Sequence, residues 1–173
     1  MKLLLTFTFG KSLKHWHNKG IIFREINLYK ELTKKRINIS FLTYGDNEDL
    51  EYNNLLGDIE IFPISKLIKS NFFFLKLIKS LFLPFKQKKF FRKFDIIKTN
   101  QAYGSWIAYL VKILYNKKLI IRAGYQYLRV FKIRANRKGL KNFLKYLLTY
   151  SLLFINELIA YKLADGIIIT SEH

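Results

Sequence analysis

Short runs of apolar residues recur along the chain and are separated by longer stretches of mixed polarity. Most of these runs are apolar at nearly every position, which is typical of parallel strands buried on both faces of a sheet. Such strands are predicted at residues 3–9, 37–43, 59–62, 95–99, 119–122 and 166–170. Parallel strands need long crossover connections, so helices are expected between them.

The stretches between the runs show helical periodicity. Residues 20–35 place Ile22, Ile26 and Tyr29 on one face and charged residues on the others, which is the pattern of an amphipathic helix. Further helices are predicted at residues 66–83, 104–115 and 140–163, with Pro84 ending the first of these. The alternation of strands and helices predicts an α/β fold, a Rossmann-like, doubly wound, mostly parallel sheet of about six strands with helices on both faces.

A chain of 173 residues is enough for one such domain, which we assign to residues 1–173. Ligands of doubly wound sheets bind beyond the carboxyl ends of the strands, on the connecting loops. The loops predicted at that edge are residues 10–19, 43–49, 100–104 and 123–138. Candidate site residues are therefore sought there.

Positive charge is concentrated in the last two thirds of the chain. Residues 1–60 carry a net charge of +1 and residues 61–173 a net charge of +18, while cysteine is absent. Such asymmetry favours a polyanionic neighbour, namely anionic lipid, nucleic acid or a phosphorylated substrate. An AT-rich gene would also enrich lysine, but it does not explain the scarcity of acidic residues. The absence of cysteine excludes disulfides and thiolate metal sites.

Targeting and membrane-spanning segments are not predicted. The apolar start of the chain is too short for a signal peptide and lacks a cleavage site. The longest apolar stretch, residues 143–161, is interrupted by Lys145, Asn156 and Glu157, which makes it a poor transmembrane helix. The protein is therefore expected in the cytoplasm, where it lies peripherally on the inner membrane.

The first loop holds several candidates for ligand contact. Gly10 opens a Gly-Lys-Ser sequence, but Leu5 stands where a phosphate-binding P-loop needs its first glycine, and no dinucleotide fingerprint occurs. His15 and His17 alternate as metal ligands do, although no carboxylate or third ligand lies nearby, so no metal is predicted. The two histidines are interpreted as exposed loop residues, or as one acid–base or acceptor-contacting group.

Other candidates lie at the start of a helix and the end of a strand. Gly20 begins the first helix, where backbone N–H groups favour an anion, or it serves a turn only. Arg24 follows one turn later and either pairs with Glu25 or reaches a phosphate. Arg122 ends the fifth predicted strand and is followed by Gly124 and Tyr125, a composition that suggests a site.

Residues 64–94 combine nine basic residues with eight phenylalanines and no acidic residue. On a helical wheel, four lysines occupy one arc of the predicted helix, and consecutive phenylalanines cannot all point inward. A helix that faces the core explains part of this pattern, but lysines with exposed aromatics also suit the lipid headgroup region. The membrane-surface residues predicted from this pattern are Lys66, Lys69, Phe72, Phe73, Lys76 and Lys79. No nucleic-acid-binding motif accompanies the charge, so nucleic acid is not a predicted partner.

The order of these pieces resembles the N-terminal, acceptor-side domain of bacterial GT-B retaining glycosyltransferases of the family 4 type. The residues that carry the resemblance are Leu3-Leu4-Leu5, Ser12-Leu13, Trp16, Gly20 to Glu25, Leu28-Tyr29, Phe41 to Gly45, Asp95 to Gln101, Leu119 to Tyr125 and Ala164 to Glu172. Together they span nearly the whole chain.

The resemblance implies transfer of a sugar from a nucleotide-sugar donor to an envelope glycan or lipid-linked acceptor, as in polysaccharide biosynthesis. In this family the C-terminal domain binds most of the donor. The chain stops at His173, where that domain would begin, so we expect a fragment, a split gene product or a truncated remnant that is inactive alone. A separately encoded C-terminal domain is one partner that would complete it. No cofactor besides the donor substrate is implied. The alternative is a non-catalytic basic module that binds an anionic membrane surface or a partner protein.

The resemblance also assigns residues to the cleft. Gly20 matches the helix start that approaches the donor diphosphate, Asn100 matches a polar residue at the cleft edge, and Arg122, Gly124 and Tyr125 match the motif at the end of a strand. With the residues proposed above, the predicted donor-diphosphate or acceptor cleft comprises Gly10, His15, His17, Gly20, Arg24, Asn100, Arg122, Gly124 and Tyr125.

Overall fold

The computed structural model describes residues 1–68, 72–123 and 143–169, without the side chains at 73–74 and 143–149. The strands are β1 (Lys2–Thr6), β2 (Asn38–Thr43), β3 (Glu60–Pro63), β4 (Ile96–Thr99), β5 (Lys118–Arg122) and β6 (Gly166–Ile168). The α-helices are α1 (Leu13–Asn18), α2 (Ile22–Lys34), α3 (Asn53–Leu56), α4 (Phe73–Lys86), α5 (Lys88–Arg92), α6 (Trp106–Tyr115) and α7 (Phe143–Leu163). Two 3₁₀ helices, Asn47–Tyr52 and Ile64–Lys66, precede α3 and α4.

All six strands pair in parallel in the order β3-β2-β1-β4-β5-β6. Leu4 in β1 lies opposite Ser40 in β2 and opposite Ile97 in β4. The chain moves outward from β1 to β3 and then returns to β4 to build the other half of the sheet. The α/β Rossmann-like fold predicted from the sequence is confirmed, and its reversal of strand order lies between β1 and β4.

Helices cover the two faces of the sheet unequally. Right-handed crossovers place α2 on one face and α4, α6 and α7 on the other, where α4 packs on α6 and α6 on α7. Completely buried side chains such as Leu4, Phe41 and Ile97 form the core between these layers. Among the described residues, no helix is both long and apolar enough to cross a membrane.

The connection between β1 and α2 corrects one prediction. Residues 10–19 were expected to be a loop, but they contain the short helix α1. Its first turn is capped by the Ser12 hydroxyl, which accepts a 3.1 Å hydrogen bond from the His15 backbone N–H. The buried side chains Leu13 and Trp16 hold the helix against the core, and the Trp16 ring stacks on Phe7 with centroids 4.3 Å apart.

The basic stretch after β3 corrects another prediction. Instead of one helix over residues 66–83, Lys66 ends a 3₁₀ helix and α4 begins at Phe73. Pro84 does not end α4, which continues to Lys86. The Pro84 carbonyl accepts a 2.6 Å hydrogen bond from the hydroxyl of Tyr115 in α6, so tertiary contact supports the helix beyond the proline. The helical wheel that grouped Lys66 with Lys76 and Lys79 is therefore wrong.

Candidate functional site

The loops after β1, β2 and β4 meet at the carboxyl edge of the sheet. Phe9 packs edge-on against Tyr44, with ring centroids 4.9 Å apart, and lies at the same centroid distance from Trp106. Gly104 has φ +74°, and a Cβ there would lie 2.8 Å from the Phe9 Cβ and backbone N. Glycine is needed at this position because the loops after β1 and β4 touch.

Asp49 holds the neighbouring loops together from inside the protein. Its buried carboxylate accepts hydrogen bonds from the Thr43 hydroxyl and, at 3.2 Å, from the Lys14 backbone N–H. Burial raises the pKa of Asp49, although these hydrogen bonds oppose the shift. A Cβ on Gly45 would lie 2.1 Å from the Asp49 Oδ2 atom, so the loop after β2 fits closely around the carboxylate. The Lys14 backbone N–H at the start of α1 is therefore already bonded to the Asp49 carboxylate.

A buried ion pair joins α2 to the end of β5. The Arg122 guanidinium donates to both carboxylate oxygens of Glu25, with its Nη2 atom 3.3 Å from Oε1. The Glu25 side chain is only 7% exposed. Burial alone would raise the pKa of Glu25, but hydrogen bonds and positive charge from Arg122, and then from Arg24, hold it below its ordinary value. The paired Glu25 raises the pKa of Arg122.

Arg24 contacts the same carboxylate from the solvent side. Its Nη2 atom lies 3.0 Å from Glu25 Oε1, while its side chain is 73% exposed. The two readings of Arg24 from the sequence were a pair with Glu25 and a reach toward phosphate, and the structure shows the pair. Arg122 does not project freely from the strand end, because Glu25 holds its guanidinium over the α2 face of the sheet.

Lys98 is a second buried cation on the same face, and the sequence reading did not single it out. Its side chain leaves β4 beneath α2, and its ammonium Nζ donates a 2.9 Å hydrogen bond to the Tyr29 hydroxyl. Burial, and then the charge of Arg122, lower the pKa of Lys98 to about 8, and the charge of Glu25 opposes this shift. The signal in the sequence was a single lysine inside an otherwise buried strand.

Of the remaining predicted residues of the first loop, Gly10, His17 and Gly20 are exposed and His15 is partly buried. Gly10 and Gly20 are exposed and adopt φ +74° and +66°, so both serve turns. The Gly20 backbone N–H donates a 2.8 Å hydrogen bond to the His17 carbonyl. This N–H, which the sequence suggested for anion binding, is therefore already bonded within the protein. The His17 ring lies 3.1 Å from the Tyr52 hydroxyl. Partial burial, then the charges of Lys11 and Lys19, lower the pKa of His15.

Asn100 lies directly after β4 at the carboxyl edge and is buried. Its backbone N–H donates to the Thr6 carbonyl at 2.9 Å, which extends the pairing of β1 and β4 by one residue. Gly124 and Tyr125 lie outside the described residues. Among the residues that the structure does describe, no group of three or more potential ligands is placed to hold a metal ion.

The predicted membrane-surface residues separate into two groups. Lys66, Phe72 and Lys79 are exposed, Phe72 to 73%. Lys76 instead points to the carboxyl edge, where its ammonium donates a 2.9 Å hydrogen bond to the Tyr44 carbonyl. Lys69 and the Phe73 side chain lie outside the described residues. Residues of α4 that the helical wheel did not select, Phe82 and Phe85, are more than half exposed.

Open cavities occur in the described part of the chain, at both edges of the sheet. One of about 370 Å³ lies at the amino edge of the sheet and is lined by residues that include Lys2, Asn38 and Glu60. Another of about 260 Å³ lies between α1 and the 3₁₀ helix after β2, beside His17 and Tyr52. The larger cavity is on the side opposite to the loops where the fold places ligands, so it does not mark the predicted cleft.

The strand order, the fully parallel pairing and the helices on both faces define a Rossmann-like, doubly wound α/β fold. Among solved structures, MurG from Acinetobacter baumannii matches 99% of this chain with a TM-score of 0.52 and 16% sequence identity. HepE from Anabaena, in complex with UDP-glucose, matches 98% with a TM-score of 0.46 and 12% identity. No protein family matches the sequence, and no curated protein matches it either.

The chain spans less than half of the solved structures that it resembles, 42% of MurG and 43% of HepE. At 16% identity the likeness to MurG establishes a shared fold and no shared activity. The retaining family 4 assignment drawn from the sequence stays a prediction, as does the view that the chain is a fragment.

Proposed function

We propose that the chain is the acceptor-side domain of a glycosyltransferase that moves a sugar from a nucleotide-sugar donor to a glycan or lipid-linked acceptor. The observation that carries the proposal is the match of 99% of the chain to a GT-B structure. In such a two-domain enzyme, catalysis requires both domains to close around the donor and the acceptor. This domain is therefore inactive without a second one, encoded in the same or a separate gene.

The carboxyl edge supports this proposal through its composition. Loops from β1, β2 and β4 meet there, Asn100 directly follows β4, and Arg122 is the last residue of β5. The reversal of strand order between β1 and β4 is where doubly wound sheets bind their ligands. Asn100 and the first-loop residues Gly10, His15 and His17 are proposed to face the acceptor side of the cleft.

The experiment is to read the DNA beyond the codon of His173, and in adjacent genes, for a second Rossmann-like domain. The 173-residue chain is then assayed with that domain for transfer of labelled sugar from a panel of nucleotide sugars to a membrane extract. We expect transfer only when both parts are present. Asn100→Ala should reduce it, while the exposed control Lys34→Gln should not. If the two parts together transfer no sugar, the glycosyltransferase proposal is overturned.

A second function, attachment to an anionic membrane surface, is favoured by α4. Phe82 and Phe85 expose 54% and 53% of their surface to solvent, next to the exposed Lys79 and Lys86. Aromatic rings beside lysines suit the headgroup region of a bilayer, and each lysine near an anionic leaflet contributes about 1 kcal/mol. In an enzyme this surface would bring the cleft to a lipid-linked acceptor. Without a second domain it would define a non-catalytic basic module.

Co-sedimentation with vesicles tests the attachment. The chain should bind vesicles that contain phosphatidylglycerol and should not bind pure phosphatidylcholine vesicles. Phe82→Ser with Phe85→Ser should weaken binding at any salt concentration, and Lys79→Gln with Lys86→Gln should weaken it mainly at low salt. Lys30→Gln with Lys34→Gln on α2 is the matched control with the same loss of charge. Equal loss in the control would show that net charge, and not α4, binds the vesicles.

A further inference from the structure

β6 (Gly166–Ile168) ends the sheet at an edge that no other strand of the described residues covers. Ile167 and Ile168 point to opposite faces of the sheet, because successive side chains of a strand alternate. They are nevertheless 45% and 42% exposed, and Ile169 after them is 73% exposed. Both faces of this edge strand are therefore open to solvent.

The backbone of β6 also offers hydrogen bonds at this edge. The Ile168 carbonyl accepts a 2.8 Å hydrogen bond from the Ala123 backbone N–H, so Ile168 directs its N–H and C=O groups toward β5. Ile167, one residue earlier, directs its own groups to the opposite side, where β6 has no neighbouring strand in the described part of the chain. Such an edge is a template for the addition of a further strand.

The other edge of the sheet, formed by β3, is protected. Glu60 begins β3 and Pro63 ends it, and both charge and proline discourage the pairing of edge strands. Phe62 is covered by Phe90, with ring centroids 4.8 Å apart, and the Lys93 ammonium lies 4.6 Å from the centroid of the Phe62 ring. β6 contains neither a charged residue nor a proline. Of the two edges, β6 is therefore the one that can accept a strand.

α7 extends the apolar surface beside this edge. It packs on α6 and on β5, the strand next to β6. At about 100° per residue, Leu152 and Ile159 share one side of the helix, and Phe154 and Tyr161 share the other. These four side chains are between 39% and 68% exposed, so whichever side of α7 adjoins the edge is apolar.

The charge of this surface indicates what covers it. Residues 150–169 contain one lysine and two acidic residues, although the whole chain has a net charge of +19. An anionic bilayer or a nucleic acid is attracted to basic surfaces, and this surface is not one. A second copy of the chain meets no local excess of like charge here. An apolar strand edge is also complementary to its own copy, because two such edges pair antiparallel about a two-fold axis.

We propose that two copies of the chain associate through β6, which joins their two six-stranded sheets into one. The protected β3 edges lie at the far ends of the joined sheet, so association stops at the dimer. A large side chain that is half exposed offers about 100 Å². The three isoleucines and three side chains from one side of α7 thus bury about 600 Å² per copy, less than the roughly 800 Å² of a standard interface. The dimer is therefore reversible. It goes beyond the proposed function and does not depend on it.

Sedimentation velocity of the 173-residue chain over a range of concentrations tests the dimer. We expect a reversible change from monomer to dimer, favoured by salt because salt screens the repulsion between two basic chains. Ile169→Lys should weaken dimerisation about tenfold or more, because it places two like charges at the shared edge. The control is Leu28→Lys on α2, where the parent side chain is 51% exposed. It adds the same charge on the other face of the sheet and should change the dissociation constant by less than about twofold.

Ile167→Pro tests the backbone pairing. It removes the N–H that faces the open edge and keeps the hydrogen bonds to β5, a position at which edge strands tolerate proline. It should also weaken dimerisation about tenfold or more, provided that circular dichroism shows a folded chain. Ile169→Lys decides the question if this variant does not fold.

Single cysteine variants locate the contact, because the chain has no cysteine of its own. A short bismaleimide should cross-link two copies of Ile168→Cys and should not cross-link Leu28→Cys. A chain that stays monomeric at every concentration and salt would overturn the proposal, as would equal effects of Ile169→Lys and Leu28→Lys. If a second domain encoded beyond His173 abolishes the cross-link, that domain covers the edge and the dimer is overturned. Loss of the cross-link on phosphatidylglycerol vesicles would assign the surface to lipid instead.

Discussion

The Lys98 ammonium donates a 2.9 Å hydrogen bond to the Tyr29 hydroxyl across the interface of α2 and β4. Neither residue is exposed by more than 4%. Burial raises the pKa of Tyr29, and burial together with the charge of Arg122 lowers that of Lys98 to about 8, so the interface disfavours the charged form of each side chain. The contact between α2 and β4 therefore stabilises the fold least at pH values where Lys98 is charged.

This pair predicts how stability changes in mild alkali. The folded pKa of Lys98, about 8, lies below its ordinary value of 10.5, so the unfolded chain binds more protons between these values and stability rises with pH. Relative to Lys98→Met, the parent should gain about 1 to 2 kcal/mol between pH 8 and pH 9.5. Urea unfolding of both chains at these pH values measures the difference. A constant difference would show that Lys98 does not titrate in this range.

Glu25 should have the opposite dependence, in acid. Its folded pKa lies below its ordinary value of 4.5, so its contribution to stability is complete above pH 4.5 and is lost as the pH falls through the folded pKa. Glu25→Gln should cost about 3 kcal/mol at pH 7, because Arg122 then lacks its counter-charge in a mostly buried position. Below the folded pKa the parent and the variant should converge in urea unfolding.

A double variant separates the ion pair from the packing of the interface. Glu25→Leu with Arg122→Met removes both charges and keeps apolar volume, so it should recover most of the stability lost in Glu25→Gln. Thermal unfolding of the three chains gives the comparison. If the double variant is as unstable as Glu25→Gln, the ion pair holds α2 on the sheet in a way that apolar contact cannot replace.

The fold could be predicted from the sequence because its strands are apolar on both faces, which identifies a covered parallel sheet. The short helix α1 was missed since only Leu13 and Trp16 mark its buried side, although Ser12 before them is a helix-capping residue. The continuation of α4 through Pro84 depends on contact with Tyr115, 31 residues away. Local pattern carries no information on such a contact.

The sequence placed the candidate arginine at the carboxyl edge of the sheet but did not predict its partner. Arg122 was expected to emerge beside a ligand, whereas Glu25 binds it from a helix 97 residues earlier in the chain. Lys98 and Tyr29 are separated by 69 residues. Pairing between distant charged residues is set by the register of the sheet and the placement of α2, which a single sequence does not specify.

Gly45 provides a prediction about the loop after β2. Gly45→Ala forces its Cβ to within 2.1 Å of the Asp49 Oδ2 atom, and the buried Asp49 cannot move without losing its bonds to Thr43 and Lys14. We expect a loss of about 2 to 4 kcal/mol. Gly166→Ala, where a Cβ meets nothing within 4 Å, is the control and should change stability by less than about 0.5 kcal/mol. Equal effects in thermal unfolding would contradict the close fit.

The surface of α7 predicts self-association of the isolated chain. Among its described side chains, from residue 150 onward, Leu153 and Ala160 are buried, while many of the exposed ones are apolar, including Leu152 at 68% exposed and Ile155 at 52%. A helix that is apolar on nearly all sides is normally buried, and covering each large side chain contributes about 1.5 to 3 kcal/mol.

Light scattering over a range of concentrations measures the association. The parent chain should form larger species as its concentration rises, and Leu152→Gln with Ile155→Gln should shift it toward the monomer. Ile113→Gln, at a single exposed isoleucine of α6, is the control and should have a smaller effect because it leaves the continuous surface of α7 intact. A parent chain that stays monomeric at all concentrations would show that the +19 charge outweighs the apolar attraction.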